Sequence, residues 1–430
     1  MEQLLEMAGK VSDKAEVYSA DTKGDGVSFE DARVKDIDSS MQSGVSLRII
    51  KNNALGFAYT RNLMNREELI QNALDSLKGG VEGLFELPMT KDLPSLDTYD
   101  PSIEALTNAA MVEECGRLCE LLSLKTKGQI NLSAHRLVSR KRVINSSGTD
   151  LSVKSSVYVL NPQILYPYSS ASLYRTFASK TFQRTPDEYL NYLVETYNGS
   201  MGEAVPDGRK MKVLFLPESV YVLMWRLQSA ANGMSIYQKI SPLDGKIGEK
   251  IFDEKLSVWN DPLDDSLPGA RAFDDEGTPC SRFSLVENGV LRNFYYDLYF
   301  ARKLNAHPTG HGFKGSVSSK PVPGLGHLSL SPGRSPFTDL IREMDCGIIV
   351  AGALGAHSGN IPNGDFSIGV SPALYVEKGE IASHVKDVMV AGNIYDILKN
   401  IAGIENVLHP CYGGNFPALL FDNVNVTVKR

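Results

Sequence analysis

Few residues of the chain could do metal or nucleophilic chemistry: seven histidines and five cysteines in 430 residues. His307 and His311 are four apart, a spacing that on a helix puts two imidazoles on one metal. Pro308 and Gly310 lie between them and no glutamate follows His307, so a turn whose histidines bond to backbone is expected instead. Gly310, Gly312 and Gly315 satisfy G-x-G-x-x-G. A dinucleotide site needs a strand before that motif and a helix after it, to aim amides at a pyrophosphate. Here Pro308 precedes the glycines and Pro321 and Pro323 follow them. There is no P-loop and no G-x-S-x-G elbow. Cys115 and Cys119, spaced i, i+4 on an expected helix, read as buried thiols, and no Cys-x-x-Cys pair exists.

Carboxylates are the other source of chemistry. Asp274, Asp275 and Glu276 are consecutive and precede Gly277. Neighbours in a strand alternate faces, so at most two of them converge, and a solvated turn is the expected setting. Asp261, Asp264 and Asp265 read as loop residues. A general acid/base pair among these groups is the alternative.

The elements that would position such residues fall into two textures. The first half mixes helices and strands. Ala15–Ala20 is expected to be a strand, and 45–51 with 54–60 a hairpin turning at Asn52-Asn53. Asn65 is placed to cap a helix that ends at Gly79-Gly80. One helix is expected from about Ser102 to Leu124, with strands over 129–145 and 151–160. Another helix is expected over 185–198, with Thr185 as its cap and Pro186 in its first turn. A loop over Gly199–Gly208 then separates an N-terminal domain, 1–200, from a C-terminal domain, 201–430. The second is rich in glycine and short strands, including the hairpin at Asn288-Gly289. The expected class is α+β: a mixed α/β domain followed by a β-rich, antiparallel, barrel-like one. Within it a helix over 218–231 follows the apolar run Met211–Leu216, with Gly233 placed to end it.

Composition sets outer limits. Hydrophobic residues make up 42% and charged residues 22%, an ordinary globular balance. The formal net charge of −7 argues against a nucleic-acid surface. No apolar run approaches the roughly 18–20 residues of a membrane span, and the acidic, amphipathic first residues do not read as a secretory signal.

Several stretches of the second half, in order, resemble the TldD/PmbA family, whose members are also called TldD/TldE and modulators of DNA gyrase. They include Ser235-Ile-Tyr-Gln-Lys239, Phe273-Asp-Asp-Glu-Gly-Thr278, Leu285-Val-Glu-Asn-Gly-Val-Leu291, Asn363-Gly-Asp-Phe-Ser-Ile-Gly369 and Ala391-Gly-Asn393. The first half is similar more loosely, from Ser43 to Ile50 and at Gly56-Phe-Ala58.

The resemblance implies a zinc peptidase fold. TldD-type members carry H-E-x-x-x-H on the helix over 218–231, two histidines for zinc and a glutamate as base, with a further cysteine ligand near the C-terminus. In this chain Trp225 and Ala230 stand in place of the histidines, Arg226 in place of the glutamate, and Cys411 matches the cysteine as a remnant. The chain thus resembles the PmbA/TldE-type member without the motif. The implied role is a non-catalytic subunit of a cytoplasmic protease acting on unfolded or peptide substrates. No catalytic residue and no cofactor are expected in this chain, and zinc is expected in a TldD-type partner. The chain would form a heterodimer with that partner, or a homodimer. The alternatives are a stand-alone protein-binding regulatory module, or a hydrolase using carboxylates such as Asp275 and Glu276.

Overall fold

The structure is a computed structural model that describes residues 1–204, 206, 210–411 and 413–429. The first half is built on a seven-stranded sheet. Strands β1 (Lys14–Glu30) and β2 (Arg33–Lys51) pair antiparallel from Lys14 opposite Ile50 to Glu30 opposite Arg33. β3 (Ala54–Thr60) adds to β2, β4 (Gln129–Asn145) to the other side of β1, and β5 (Asp150–Leu165) to β4. Short β6 (Ser172–Tyr174) and β7 (Phe177–Ser179) pair with β5. Both β1–β2 and β2–β3 turn through two positive-φ residues, Asp31-Ala32 and Asn52-Asn53. This matches the right-handed twist of the strands.

β1 runs far beyond the expected Ala15–Ala20. Its polar middle, Asp21–Gly26, is paired on one side with β2 and on the other with β4, and that double pairing overrides weak strand propensity. Gly26 permits the fit: a Cβ there would lie 2.5 Å from Asp38 Oδ1 and 2.6 Å from His135 Nδ1.

Helices α1 (Glu2–Gly9) and α2 (Arg66–Ser76) pack on this sheet at one end. Asn65 caps α2, its side chain accepting from the Glu68 amide at 3.0 Å. The helix expected from Ser102 to Leu124 is two, α3 (Pro101–Ala105) and α4 (Asn108–Lys125). The break has a local cause: Leu106 and Thr107 are extended, and Thr107 Oγ1 caps α4 by accepting from the Ala110 amide at 3.2 Å. The helix expected over 185–198 is also corrected. A 3-10 turn, Asp187–Leu190, leads into α5 (Asn191–Gly199). Thr185 caps nothing; its amide donates to Glu114 Oε1 instead.

Of the loop expected over Gly199–Gly208, Val205, Asp207 and Gly208 lie outside the described residues. Met201 and Gly202 bridge to Ser383. The second half then forms a nine-stranded sheet curled into a half-barrel. Its order is Ala353–Leu354, Asp365–Val370, Val388–Asn393, Leu419–Val428, β8 (Lys210–Phe215), Gly347–Val350, Ala373–Glu377 and Glu380–Val385, with Ile401–Ile404 also pairing to Leu419–Val428. All pairs are antiparallel except β8 with Gly347–Val350. A second, six-stranded sheet includes Val258–Asn260, Phe283–Glu287 and Leu328–Leu330.

The continuous apolar run Met211–Leu216 is explained by burial on both faces. Val213 and Phe215 point into a core with α6 (Pro217–Ala231) and the six-stranded sheet. Leu214 and Leu216 point the other way, into a core shared with α4, α5, β4 and β5. Ile348 and Ile349 divide in the same manner.

Candidate functional site

α6 begins where the sequence allows a helix to start. Leu216 is extended, and Pro217 fills the first position, where no amide donor is required. Gly233 does not end it. The extended Asn232 does, and its side chain caps the next helix, Gly233–Tyr237, by accepting from Met234 N at 2.8 Å. Most of α6 is buried. Tyr221, Trp225, Gln228 and Ser229 form its more open line at helical spacing, and Trp225 is 39% exposed.

Arg226 and Ala230 lie on the buried side, both with no exposure. Arg226 is the largest fully buried side chain among the described residues. Its Nη1 donates to Val222 O at 2.9 Å, and Nη2 to Ala356 O at 3.0 Å and Ser358 O at 2.9 Å. Nε donates to Asp365 O at 2.6 Å. Carbonyl dipoles thus supply its hydrogen bonds, with the Asp365 carboxylate as a nearby counter-charge, and tie the loop 356–365 to the helix. Burial pushes the guanidinium below its ordinary value, yet an arginine keeps its proton across the physiological range.

These residues do not fit a zinc ion. An indole N–H has no free lone pair, a guanidinium is cationic and donates only, and alanine offers no donor atom. Cys411 lies on the strand His409–Cys411, half-buried, with its thiol donating to His409 O at 3.3 Å. Burial and the nearby Glu218 carboxylate push the thiol up, away from the thiolate a metal needs. Among the described residues no three His, Cys, Asp or Glu side chains are grouped to hold a metal.

Around Glu218, in the first turn of α6, a buried polar cluster joins the two halves. Arg175, between β6 and β7, contacts His409 Nδ1 through Nη2, and its guanidinium carbon lies 4.4 Å from the Tyr192 ring centre. Arginine can only donate, so Nδ1 accepts and His409 is held as the Nε2–H tautomer. Nε2 then donates to Glu405 Oε1 at 3.1 Å, and Glu405 Oε2 accepts from Ala418 N at 2.9 Å. Glu218 Oε1, Arg175 Nε and the Tyr192 hydroxyl are buried with no hydrogen-bond partner. Burial raises the Glu218 carboxyl.

The Asp274-Asp275-Glu276 stretch is the main correction to the sequence reading. It is not a solvated turn: the three residues are 1%, 3% and 0% exposed. Asp274 accepts from the amides of Glu276, Thr278 and Gly312 at 2.8–3.0 Å. Asp275 accepts from the Tyr18 hydroxyl at 3.3 Å and Lys314 N at 2.9 Å, and pairs with Lys141 at 3.1 Å. Burial alone would raise the Asp275 carboxyl, but Lys141 and Arg271 outweigh it and hold it low. Glu276 pairs with Arg48 Nη1 at 2.5 Å and accepts from Leu298 N at 2.8 Å, while Arg48 Nη2 pairs with Glu16 at 2.6 Å. The cluster clamps β1, β2 and β4 to the second half, and both oxygens of Glu276 are engaged. Such partners, 228 residues apart for Arg48 and Glu276, leave no local signal in a sequence.

The histidine pair is also separated. His307 is exposed, whereas His311 is buried. His311 Nδ1 lies 2.9 Å from Thr309 Oγ1 and Nε2 lies 3.2 Å from Asn260 Nδ2. It bonds the side chains of Thr309 and Asn260 as well as the Thr309 backbone that the turn reading expects. Gly310 has φ of 72° and the next element after Gly315 is the strand Val322–Pro323 and not a helix, so no dinucleotide turn forms.

A half-barrel sheet with a helix packed in its curve, fed by a buried strand, defines the metallopeptidase-type fold. The chain matches the PmbA/TldA metallopeptidase C-terminal domain over residues 208–428 and PmbA/TldA metallopeptidase domain 1 over residues 15–77. It belongs to the PmbA/TldD family. Metalloprotease PmbA of Escherichia coli O157:H7 is 26% identical over 420 residues, 94% of this chain and 89% of that one. TldE from Thermococcus kodakarensis has the same fold, with a TM-score of 0.90 at 22% identity over 99% of both chains. A Thermotoga maritima protein described as a candidate modulator of a DNA gyrase gives 0.85 at 24% identity, over 99% of both chains.

Proposed function

We propose that this chain is a non-catalytic subunit of a cytoplasmic zinc metallopeptidase, paired with a homologue that carries H-E-x-x-x-H and acting on unfolded or peptide substrates. One observation carries the reading: the three α6 positions that would hold two zinc ligands and a base are Trp225, Arg226 and Ala230. Without a metal-bound hydroxide or a base, hydrolysis has no nucleophile at this helix. The reading gives the chain a binding or scaffolding part in the complex, and zinc belongs to the partner.

The test is to purify the chain alone and with such a homologue. The chain alone should hold no stoichiometric zinc and leave an unfolded protein substrate intact, while the pair should cleave it and lose activity to a chelator. Stoichiometric zinc with chelator-sensitive cleavage by the lone chain would refute the reading. Capture of a different protein, and none of the zinc-bearing homologue, would favour a stand-alone regulatory module.

A further inference from the structure

The described residues include a cavity of about 450 Å³ lined from both ends of the nine-stranded sheet, by Leu354 of its first strand and by His384 and Val385 of its last. Its apolar wall includes Leu354, Val370 and Met389, and two of these are open to solvent: Leu354 is 61% and Met389 48% exposed. Leu354 belongs to the terminal strand Ala353–Leu354. That strand pairs on one side with Asp365–Val370, and among the described residues its other side has no strand partner. The register turns the Ala353 amide and carbonyl to that free side, next to an open apolar wall.

The polar wall is cationic. Lys386 and Lys429 both line the cavity, and the Lys429 amide donates to Asp387 O at 3.1 Å, which sets their main chains side by side. Neither has an ion pair among the described residues. Among the described residues that line it, Asp387 is the one carboxylate, so two ammonium groups less one carboxylate leave one net positive charge there. Ser371 and Thr427 add hydroxyls beside it. His384 closes the floor, its ring stacked on Tyr166 with centroids 4.0 Å apart.

A free strand edge, an apolar wall and a surplus cation are together what an extended peptide ending in a carboxylate presents in complement. We propose that this cavity binds the C-terminal end of an extended peptide whose last side chain is apolar. The main chain continues the sheet along Ala353–Leu354, the last side chain packs on Leu354 and Met389, and the carboxylate meets Lys386 and Lys429. The site shares with the proposed function only the expectation that the chain meets peptides. Its failure would leave the zinc and cleavage results above untouched.

The test uses the full chain and a dansylated Ala-Ala-Val-Leu probe, as the free acid and as the C-terminal amide, read by fluorescence anisotropy. The acid is expected to bind at least about tenfold tighter than the amide, the step that removing one charge-assisted contact brings. Lys386→Ala with Lys429→Ala should abolish that preference and leave the amide affinity and melting temperature unchanged. Leu354→Ser should weaken acid and amide alike. Equal affinity for acid and amide, an acid preference that survives the double substitution, or no binding at all would overturn the proposal. So would displacement of the peptide by decanoate at equal concentration, which would assign the site to acyl carboxylates.

Discussion

Arg226 bonds to Asp365 through the main chain: Nε donates to the Asp365 carbonyl oxygen at 2.6 Å, while the Asp365 carboxylate accepts from Asn393 Nδ2 at 2.9 Å. The guanidinium is thus held by carbonyls alone among its hydrogen-bond partners. Replacing Arg226 with alanine strands those carbonyls and should cost about 3–5 kcal/mol in urea unfolding. Arg226→Glu should cost more, because it sets a buried anion against four carbonyl dipoles. A glutamate set at this position alone would therefore damage the helix. A glutamate variant as stable as the parent would refute this account.

The Arg48 clamp should behave as a buried ion pair. Arg48→Met leaves Glu276 without its ion pair and Glu16 with only Lys314, 3.9 Å away, and a loss of about 3–5 kcal/mol is expected. The triple change with Glu16→Gln and Glu276→Gln should recover part of it. A double-substitution cycle on Arg48 and Glu276 checks the coupling, which should exceed about 1 kcal/mol.

His311 makes the stability depend on pH. Burial pushes its pKa down from 6.5 to about 4. Between those values the unfolded chain binds a proton that the folded chain refuses. Stability therefore falls as pH drops from about 6.5 to about 4 and is level above that window, by up to about 3 kcal/mol for this group. Asp297 slopes oppositely. Its carboxyl is raised to about 7, chiefly by burial and by Glu276, so it favours the fold at low pH and loses that advantage as pH rises toward 7. His311→Gln should remove the first trend and leave the second, as read by unfolding at a series of pH values.

The thiols should separate cleanly by reactivity. Cys346 is exposed, whereas Cys115, Cys119 and Cys280 are buried and Cys411 is half-buried. Burial raises the Cys115, Cys119, Cys280 and Cys411 thiols, which lowers their thiolate fraction. A disulfide reagent should label one thiol per native chain rapidly, and Cys346→Ser should abolish that fast phase.

Local structure was legible where a local rule fixes it. The Asn52-Asn53 turn, the Asn65 cap and the buried pair Cys115 and Cys119 all follow from spacing and residue type. The start of α6, expected at Glu218 and found at Pro217, and the apolar run that precedes it were legible for the same reason. What was not legible depends on partners far along the chain. The full reach of β1 is set by β2 and β4. Asp274 to Glu276 look like a surface turn until Arg48, Lys141 and the Gly312 amide are placed beside them. The break at Leu106-Thr107 lay within reach, since Thr107 is a good cap, but it was hidden by apolar periodicity that runs on across it. At the candidate site it could be read from residue types alone that Trp225, Arg226 and Ala230 offer zinc no ligand. The role Arg226 plays instead could not, because its acceptors are main-chain carbonyls, which any residue supplies.

The nine-stranded sheet is buried on both faces, with Leu214, Ile349, Leu374 and Leu420 turned toward Tyr158, Leu160, Leu193 and Tyr197 of the first half. Severing the chain near residue 200 would give two fragments, each with a bare apolar surface. Each is expected to aggregate by itself, and the two mixed together to reassemble. In evolution the halves would be inherited as one unit, and swapping one for a distant relative's would demand matching changes across the seam.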